Sequence, residues 1–215
     1  VFEDFENLLA GDKLAEKGGS FWTTWNNKPG TAEDAEVVEL DGNKCAHMTF
    51  GVDQVLLLGG YQTGVFDLEF EVLIPAGNGG YLNVLHEFDG NNSAWAMQAY
   101  FQMKDNGEGN PTISAGHGSV HAGKAEACDI PCVYDAWMHF RLHVDADTDE
   151  ATLYYTNSEG TEQEICKWQW SQDSFGETVG GRKLDAMNFY PMSKKSEYYV
   201  DNISLKRIGE PTAAE

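Results

Sequence analysis

The chain has 215 residues, of which 35 are acidic and 14 are basic, so its formal net charge is −21 at pH 7. This balance argues against binding to nucleic acid or to anionic membrane surfaces, because lysine and arginine supply the affinity for both. A content of 41% hydrophobic and 12% aromatic residues excludes a disordered chain and is enough for a sizeable core.

The length and the two ends of the chain predict its domain organisation. No run of 18 apolar residues occurs, so we expect no insertion into a membrane. The sequence starts at Val1, with neither an initiator methionine nor a signal peptide, and we therefore expect a trimmed or excised chain. In the absence of a linker that divides it, we predict one domain over residues 1–208 and a tail or linker over residues 209–215.

Short strand patterns separated by turn residues follow one another along the chain. Residues 8–17 contain several helix formers, but Gly11 and the pair Gly18-Gly19 interrupt them, so we expect a loop with one helical turn. Strands are predicted at residues 37–40, 45–50, 55–58, 65–74, 81–88, 94–103, 137–144, 151–156, 164–170, 184–190 and 198–205. Residues 104–134 are rich in glycine and are predicted to be irregular. Many strands without crossover helices predict an all-β fold, a two-sheet antiparallel jelly-roll β-sandwich.

The alternation of side chains is most regular in residues 65–74. Apolar side chains face one way and acids face the other: Phe66, Leu68, Phe70, Val72 and Ile74 against Asp67, Glu69 and Glu71. Glycosidases work with a pair of carboxylates, so this strand permits a catalytic interpretation. The strand at residues 137–144 carries His139, Arg141 and His143, however, which favours cross-strand ion pairs on a solvent-exposed face.

Four cysteines occur in the chain, at Cys45, Cys128, Cys132 and Cys166. Their spacing does not match a four-ligand zinc signature. We expect a short-loop disulfide between Cys128 and Cys132, which would indicate an oxidising compartment. The sequence leaves open whether Cys45 and Cys166 form a second disulfide or remain buried thiols.

Several short motifs along the chain resemble those of one domain type. They are Trp22-Thr23-Thr24-Trp25, Gly60-Tyr61-Gln62-Thr63-Gly64-Val65, Ile74-Pro75-Ala76-Gly77, Gly80-Tyr81-Leu82-Asn83, Trp168-Gln169-Trp170 and Tyr199-Val200-Asp201-Asn202. Over residues 2–207 the chain resembles a jelly-roll domain of the concanavalin A-like (laminin G-like, MAM-like) type, which recurs in secreted bacterial multidomain proteins. The resemblance implies an accessory, mostly non-catalytic domain that is secreted or lies at the cell surface.

An acid inside the last predicted strand indicates a metal site. Asp201 lies in the middle of that strand, and a carboxylate inside a sheet must be paired, hydrogen-bonded or bound to metal. Residues 2–7 form an acidic stretch at the other end of the chain, so we expect the two termini to meet around a cation. The resemblance implies a structural calcium ion between Glu6 and Asp201, with Asp4 as a further carboxylate and the turn at Asn43 supplying oxygens. The alternative is that Asp201 accepts backbone amides and that Glu6 is solvated.

Two neighbouring predicted strands carry polar and aromatic side chains on one side, as a sugar-binding face does. These candidate ligand-binding residues are Tyr81, Asn83, Glu87, Gln98, Tyr100 and Gln102. The opposite sides of the same strands, which we expect to face the core, carry Leu82, Val84, Phe88, Trp95, Met97 and Phe101. Trp22, Trp25, Trp168 and Trp170 fit a core better than a sugar platform. A solvated sheet face without a ligand has the same pattern, so the pattern does not choose between them.

Taken together, the sequence favours a non-catalytic, secreted, calcium-stabilised module. Its expected partners are a polysaccharide, another glycan or an extracellular polymer, together with other domains of a parent protein. One alternative is a glycoside hydrolase or polysaccharide lyase that uses Glu69 with Glu71, or Glu87 with His86. The other alternative is a protein–protein adhesion or structural domain. Function on this fold depends on individual sites, so the fold alone does not decide.

Overall fold

The computed structural model describes residues 1–104, 112–123 and 126–209, which form two antiparallel β-sheets. Residues 210–215 of the predicted tail lie outside the described residues, as do residues 105–111 and 124–125 of the stretch predicted to be irregular. The predicted all-β, two-sheet sandwich is confirmed.

The described residues form fifteen strands and little helix. The strands are β1 (Phe2–Glu3), β2 (Trp22–Thr24), β3 (Glu36–Leu40), β4 (Asn43–Met48), β5 (Gln54–Tyr61), β6 (Val65–Leu73), β7 (Gly80–Glu87), β8 (Ala94–Lys104), β9 (Thr112–His121), β10 (Cys128–Asp129), β11 (Trp137–Asp145), β12 (Glu150–Thr156), β13 (Glu162–Gln169), β14 (Leu184–Phe189) and β15 (Tyr198–Gly209). The α-helix α1 (Leu14–Lys17) is the helical turn predicted within residues 8–17, and a 3-10 turn covers Gly90–Asn92. In the described part of the chain, every helix is too short or too polar to cross a membrane.

The strands divide into one eight-stranded and one seven-stranded sheet. The eight-stranded sheet has the order β13-β12-β11-β6-β15-β4-β3, with β1 also paired to β15. The seven-stranded sheet has the order β10-β9-β8-β7-β14-β5-β2. Phe2 on β1 lies opposite Ser204 on β15, so the predicted meeting of the two termini is confirmed.

The core lies between the sheets and follows the alternation read from the sequence. Phe70 on β6 pairs with Phe140 on β11, and their ring centroids are 5.5 Å apart. The next core pair is Leu68 with Leu142, and both side chains are fully buried. Burying a side chain of this size contributes about 1.5–3 kcal/mol, so these pairs hold the eight-stranded sheet against its partner.

The prediction of an irregular stretch at residues 104–134 is wrong for residues 112–121, whereas most of the described residues from 122 to 134 are irregular as predicted. Thr112–His121 forms the ten-residue strand β9, which pairs with β8 on one side and with β10 on the other. The glycines there permit close packing: a Cβ at Gly118 would lie 2.7 Å from a side-chain carbon of Ile130. A strand held by backbone pairing and small residues lacks the apolar alternation on which the prediction depended.

The expected Cys128–Cys132 disulfide is also wrong. Cys128 on β10 forms a disulfide with Cys166 on β13, and their Cα atoms are 5.8 Å apart, within the usual range for a disulfide. The thiol of Cys132 is free, and it accepts a hydrogen bond from the backbone N–H of Gln102. Cys45 is a buried free thiol. The bond between Cys128 and Cys166 connects an edge strand of each sheet, a long-range contact that cysteine spacing does not encode.

Candidate functional site

Three neighbouring strands of the seven-stranded sheet place three amide side chains in one row. Gln98 on β8 pairs with Asn83 on β7, and Asn83 pairs with Asn188 on β14. We call these three side chains the amide row. Leu82 and Val84, on either side of Asn83, belong to the core, so the amide row faces away from it. The row lines a pocket of about 350 Å³ on the outer side of this sheet.

Hydrogen bonds connect the amide row into one network. Asn83 Nδ2 donates to Asn188 Oδ1 at 3.0 Å and to the Tyr81 hydroxyl at 3.1 Å. The Tyr81 hydroxyl donates to Gln98 Oε1 at 2.7 Å, and Gln98 Nε2 donates to Ser174 Oγ at 2.8 Å. In the described structure, Asn83 Oδ1 is buried and accepts no hydrogen bond. A buried acceptor without a donor costs about 1–3 kcal/mol, so the network is stabilised if a donor reaches it.

Aromatic side chains form one wall of the pocket. Trp25 and Trp95 both line it, and their rings are stacked with centroids 6.1 Å apart. Phe88 contacts Trp25 edge-on at 5.3 Å. These three rings pack on a small cluster of buried residues, Val55, Leu85 and Ala186, which is separate from the main core.

The position of Trp95 and Phe88 differs from the prediction that both face the core. The register between β7 and β8 shifts on either side of Leu85, which pairs with Trp95 while Val84 pairs with Met97. A bulge of this kind places one extra residue in a strand and reverses the facing of the residues beyond it. The two aromatic side chains therefore lie on the pocket side of the sheet.

Two exposed aromatic residues extend the pocket at its opening. Phe175 is 68% exposed and Tyr190 is 42% exposed, and both line the pocket together with Met192. The backbone N–H of Ser174 donates to the carbonyl oxygen of Trp95 at 2.7 Å, which fixes the segment that carries Phe175 beside the aromatic wall. Grouped exposed aromatic rings at a pocket are typical of a binding surface.

Asp53 is an acid in the pocket wall with a shifted protonation equilibrium. It lies directly before β5, and its Oδ1 accepts a hydrogen bond from Asn188 Nδ2 at 2.7 Å. Burial raises the pKa of Asp53 to about 6; the hydrogen bond from Asn188 opposes this shift and the charge of Glu33 adds to it. The carboxyl group therefore changes from protonated to charged as the pH rises through about 6.

The structure brings three of the six predicted ligand-binding residues together at the pocket. Tyr81, Asn83 and Gln98 line it. Tyr100 lies next to them, with its ring centroid 5.1 Å from that of Tyr81, but it is not part of the pocket wall.

The other two predicted residues lie elsewhere. Glu87 forms an ion pair with Lys183 at 3.1 Å. Gln102 is 1% exposed, and its Oε1 accepts a hydrogen bond from the backbone N–H of Gly116 at 2.6 Å. Gln102 also has a positive φ of 55° at a register shift of β8, which turns its side chain out of the expected alternation.

Sequence reasoning missed part of the pocket wall. The residues that it did not assign to a ligand are Trp25, Asp53, Trp95, Phe175, Asn188, Tyr190 and Met192. Asn188 had a readable signal, because it alternates with Met187 and Phe189 in a predicted strand. Tyr190 had the same signal, because it lies two residues after Asn188 in that predicted strand. The others come from loops or follow a bulge, where alternation carries no information.

The acids of the strand at residues 65–74 lie on the other side of the molecule. Glu69 and Glu71 are on β6 in the eight-stranded sheet, and the ring nitrogens of His139 lie 3.5 and 3.6 Å from their carboxylates. Arg141 contacts Asp67 at 3.1 Å. These are the cross-strand ion pairs that the sequence favoured, and they are remote from the pocket.

The pair of His86 and Glu87 does not form a catalytic site either. His86 is fully buried, and its ring nitrogens lie 3.2 Å from the carbonyl oxygen of Lys183 and 3.3 Å from that of Gln172. Burial lowers the pKa of His86, against smaller opposing effects from those two carbonyls. Both nitrogens face backbone groups, so this ring has no free position for a substrate.

Of the predicted metal ligands, Asp201 and Asn43 are in direct contact beside the paired termini. Asp201 is 2% exposed; its Oδ2 accepts from Asn43 Nδ2 at 2.9 Å, and its Oδ1 accepts from the backbone N–H of Asn202 at 2.7 Å. Burial raises the pKa of Asp201, and the nearby charges of Glu71 and Glu6 add to this.

Asp4 and Glu6 complete the predicted set on the first loop. Asp4 Oδ1 accepts from the backbone N–H of Glu6 at 3.2 Å, and Glu6 Oε1 accepts from the backbone N–H of Lys44 at 2.9 Å. Among the described residues, no group of three or more His, Cys, Asp or Glu side chains is arranged to hold a metal ion. The three carboxylates and Asn43 are oxygen ligands of the kind that calcium takes, and the calcium site predicted from the sequence stays a prediction.

The comparisons with known proteins identify the fold. No protein-family model matches the chain, and no curated protein matches it. Among solved structures, the catalytic domain of a glycoside hydrolase family 131 protein from Coprinopsis cinerea superposes with a TM-score of 0.59 at 9% identity, covering 98% of this chain and 97% of that one. The fold is the concanavalin A-like jelly roll.

Other concanavalin A-like neighbours include sugar-bound and lectin structures. The exoplasmic/lumenal domain of VIP36 in its Ca²⁺/Man3GlcNAc-bound form has a TM-score of 0.56 at 7% identity, covering 90% of this chain and 86% of that one. The seed lectin of Lotus tetragonolobus has a TM-score of 0.51 at 9% identity, covering 82% and 92%. The chain spans only 18% of the length of a sialidase that it also matches. At these identities the likeness shows the fold alone.

Proposed function

We propose that the protein is a non-catalytic glycan-binding module and that the pocket along the amide row is its binding site. The observation that carries this proposal is that the amide row and the aromatic wall of Trp25 and Trp95 line one and the same pocket. Concanavalin A-like neighbours that include a seed lectin and a Man3GlcNAc-bound domain agree with a carbohydrate ligand.

The two kinds of wall match the two kinds of surface on a sugar ring. Amide groups both donate and accept hydrogen bonds, as sugar hydroxyls do. The flat, apolar C–H face of a pyranose ring packs on an aromatic side chain, which offers a large apolar area at low entropic cost. The volume of about 350 Å³ lies near the lower end of the usual range for ligand pockets, about 300–1,000 Å³, and suits a short piece of a glycan.

The set of charged groups in the pocket favours binding over hydrolysis. Among the described residues that line it, Asp53 is the one carboxylate. Glycoside hydrolysis uses two carboxyl groups on opposite sides of the scissile bond, about 5–9.5 Å apart. Glu69 and Glu71 do not supply the second group, because they lie on the other sheet in ion pairs. Glu33, whose charge acts on Asp53, lies outside the pocket wall, and its Oε1 accepts a hydrogen bond from Asn26 Nδ2 at 2.6 Å.

A glycoside hydrolase is the second candidate, and the raised pKa of Asp53 is the observation that favours it. A carboxyl group with a pKa of about 6 can act as a general acid near neutral pH. In that case Asp53→Asn would abolish release of reducing ends from polysaccharides while leaving their binding measurable. We expect no release of reducing ends by the wild-type protein.

Two further parts of this proposal concern stability and location. A calcium ion bound between Glu6 and Asp201 would hold the paired termini of the domain, because both ends of the chain contribute oxygens. The disulfide between Cys128 and Cys166 is typical of proteins in oxidising compartments, which supports a secreted or cell-surface module.

A glycan array probed with the full chain tests the proposed function. We expect binding to at least one glycan class, and we expect Trp25→Ala to abolish the signal. The matched control is Arg141→Met, which changes the ion pairs of the opposite sheet and should leave the signal unchanged. Absence of signal across the array would contradict the proposal and favour an adhesion or structural role.

A further inference from the structure

The charged groups of the pocket restrict which glycans it accepts. Among the described residues that line the pocket, Asp53 carries the one formal charge, and no lysine or arginine is present. Arginine and lysine are the strongest side-chain partners of a carboxylate or sulfate group, because they supply charge-assisted hydrogen bonds. The pocket therefore lacks the strongest partners of an anionic sugar and contains one group that repels it.

Lysines that are close in sequence to pocket residues do not line the pocket in the described structure. Lys194 and Lys195 follow Met192 in the chain, but they line a separate hollow with Thr112 and Ile113. Lys183 is paired with Glu87 at 3.1 Å.

The charge of the whole chain acts in the same direction. At a net charge of −21, the protein repels polyanions before they reach the pocket, and this effect weakens as salt screens it.

The amide row, in contrast, suits uncharged groups. Asn83 Oδ1 is a buried acceptor without a donor among the described residues, and a hydroxyl or acetamido N–H that reached it would supply one. A carboxylate is acceptor-only at neutral pH and would leave it unpaired.

We infer that the pocket selects uncharged glycans and excludes those that carry carboxylate or sulfate groups at the bound sugar. This inference rests on the proposed function, because it assigns a ligand class to the same site. Asp53 is the residue that enforces the exclusion at close range, and the overall negative charge enforces it at long range.

Matched pairs of oligosaccharides test the inference. The probes are gluco-, manno- and galacto-oligosaccharides, each compared with the same compound after oxidation of its primary hydroxyls to carboxylates. We expect calorimetric titration of the full chain to give at least about tenfold tighter binding of one neutral probe than of its oxidised form at low salt. We expect the ratio to decrease at high salt, as screening predicts.

Two variants show whether Asp53 causes the preference for the neutral probe. Asp53→Asn should reduce the ratio severalfold, because it removes the charge at nearly constant shape. Glu159→Gln removes one negative charge from an exposed turn outside the pocket wall and should leave the ratio unchanged.

The outcomes distinguish the inference from the proposed function. Equal or tighter binding of an oxidised probe would overturn the inference and leave glycan binding intact. An unchanged ratio in Asp53→Asn would overturn the role of Asp53. Failure of all probes of both kinds to bind would overturn the proposed function, and the inference with it.

Discussion

The charged form of Asp53 lowers the stability of the folded protein, because its carboxylate is partly buried in the pocket wall. Its pKa is raised by burial to about 6, against about 3.9 for an unfolded aspartate. Between these two pH values the folded protein binds the proton more tightly than the unfolded chain does. The stabilising effect of the protonated group is therefore fully present below pH 4 and is lost as the pH rises through about 6.

The variant Asp53→Asn should be more stable than the wild type at pH 7, by about 1–2 kcal/mol after allowance for the partly exposed side chain. The reason is that asparagine occupies the same space without a buried charge. Urea denaturation at pH 4, 5, 6 and 7 measures this difference, which should vanish near pH 4. A wild type more stable than the variant at pH 7, or a difference independent of pH, would contradict this assignment.

Individual pocket residues were predictable from the sequence only where they follow strand alternation. Tyr81, Asn83 and Gln98 share one face of two adjacent strands, and both the strands and the face were predicted correctly. Asp53 lies directly before β5, and Trp25 lies directly after β2. At such positions outside a strand, neighbouring residues do not determine the direction of a side chain.

At the scale of elements, the central strands of the eight-stranded sheet are held by charges on their outer face. Arg141 on β11 binds Glu162 with two nitrogens, at 3.0 and 2.7 Å, and Asp67 at 3.1 Å. Its guanidinium also lies 4.2 Å from the ring centre of Tyr154. The bonds to Glu162 and the charge of Asp67 raise the pKa of Arg141, and its guanidinium lowers the pKa of Glu162.

Arg141→Met should reduce the free energy of unfolding by about 0.5–1 kcal/mol, because it removes ion pairs to Asp67 and Glu162 that are partly exposed to solvent. Glycan affinity should stay within twofold of the wild type, roughly the scatter expected of a distant site. Thermal denaturation and calorimetric titration of the same preparation measure both quantities. A large loss of affinity would indicate that the glycan binds on the eight-stranded sheet and would contradict the proposed site.

The disulfide is the second feature at this scale, since it connects the edge strands β10 and β13 of opposite sheets. Replacing Cys128 and Cys166 together by serine should cost about 3–4 kcal/mol, as expected from closing a loop with a sequence separation of 38 residues. Urea denaturation of the double variant measures this, with Cys45→Ser as the control for loss of a thiol alone. Equal stability of wild type and double variant would show that the sheets do not depend on this bond.

Strands were predictable from sequence where large apolar residues alternate, and they were not predictable where backbone pairing alone defines them. Residues 65–74 and 137–144 fall into the first class and residues 112–121 into the second. The bulge near Leu85 belongs to neither class. It depends on the fit between two strands, which is why Trp95 was expected in the core and lies in the pocket.

At the scale of the whole molecule, the pairing of β1 with β15 joins the two ends of the sandwich beside Asp201. Calcium should raise the melting temperature by on the order of 5 °C over a chelator control, if its concentration is about 100 times the dissociation constant. Asp201→Asn should reduce this shift strongly, because it removes the negative charge and one of the two carboxylate oxygens. Glu159→Gln serves as the control for charge alone. A melting temperature that does not respond to calcium or chelator would exclude the proposed ion.

The overall fold was the most predictable level, because alternating strands without helices permit few architectures. The termini were also predicted to meet, from acids at both ends of the chain, and they do. The position of the pocket was predictable only in outline, since it depends on β14 and on loops that are distant in sequence from β7 and β8.

Titration of pocket variants tests most directly whether a glycan binds in the pocket of the seven-stranded sheet. Calorimetric titration of the strongest binder from the array should be compared between wild type, Trp25→Ala and Arg141→Met. We expect at least about a tenfold loss of affinity for Trp25→Ala, equivalent to about 1.4 kcal/mol, with unchanged affinity for Arg141→Met. Unchanged affinity in a folded Trp25→Ala protein would contradict the proposed binding site.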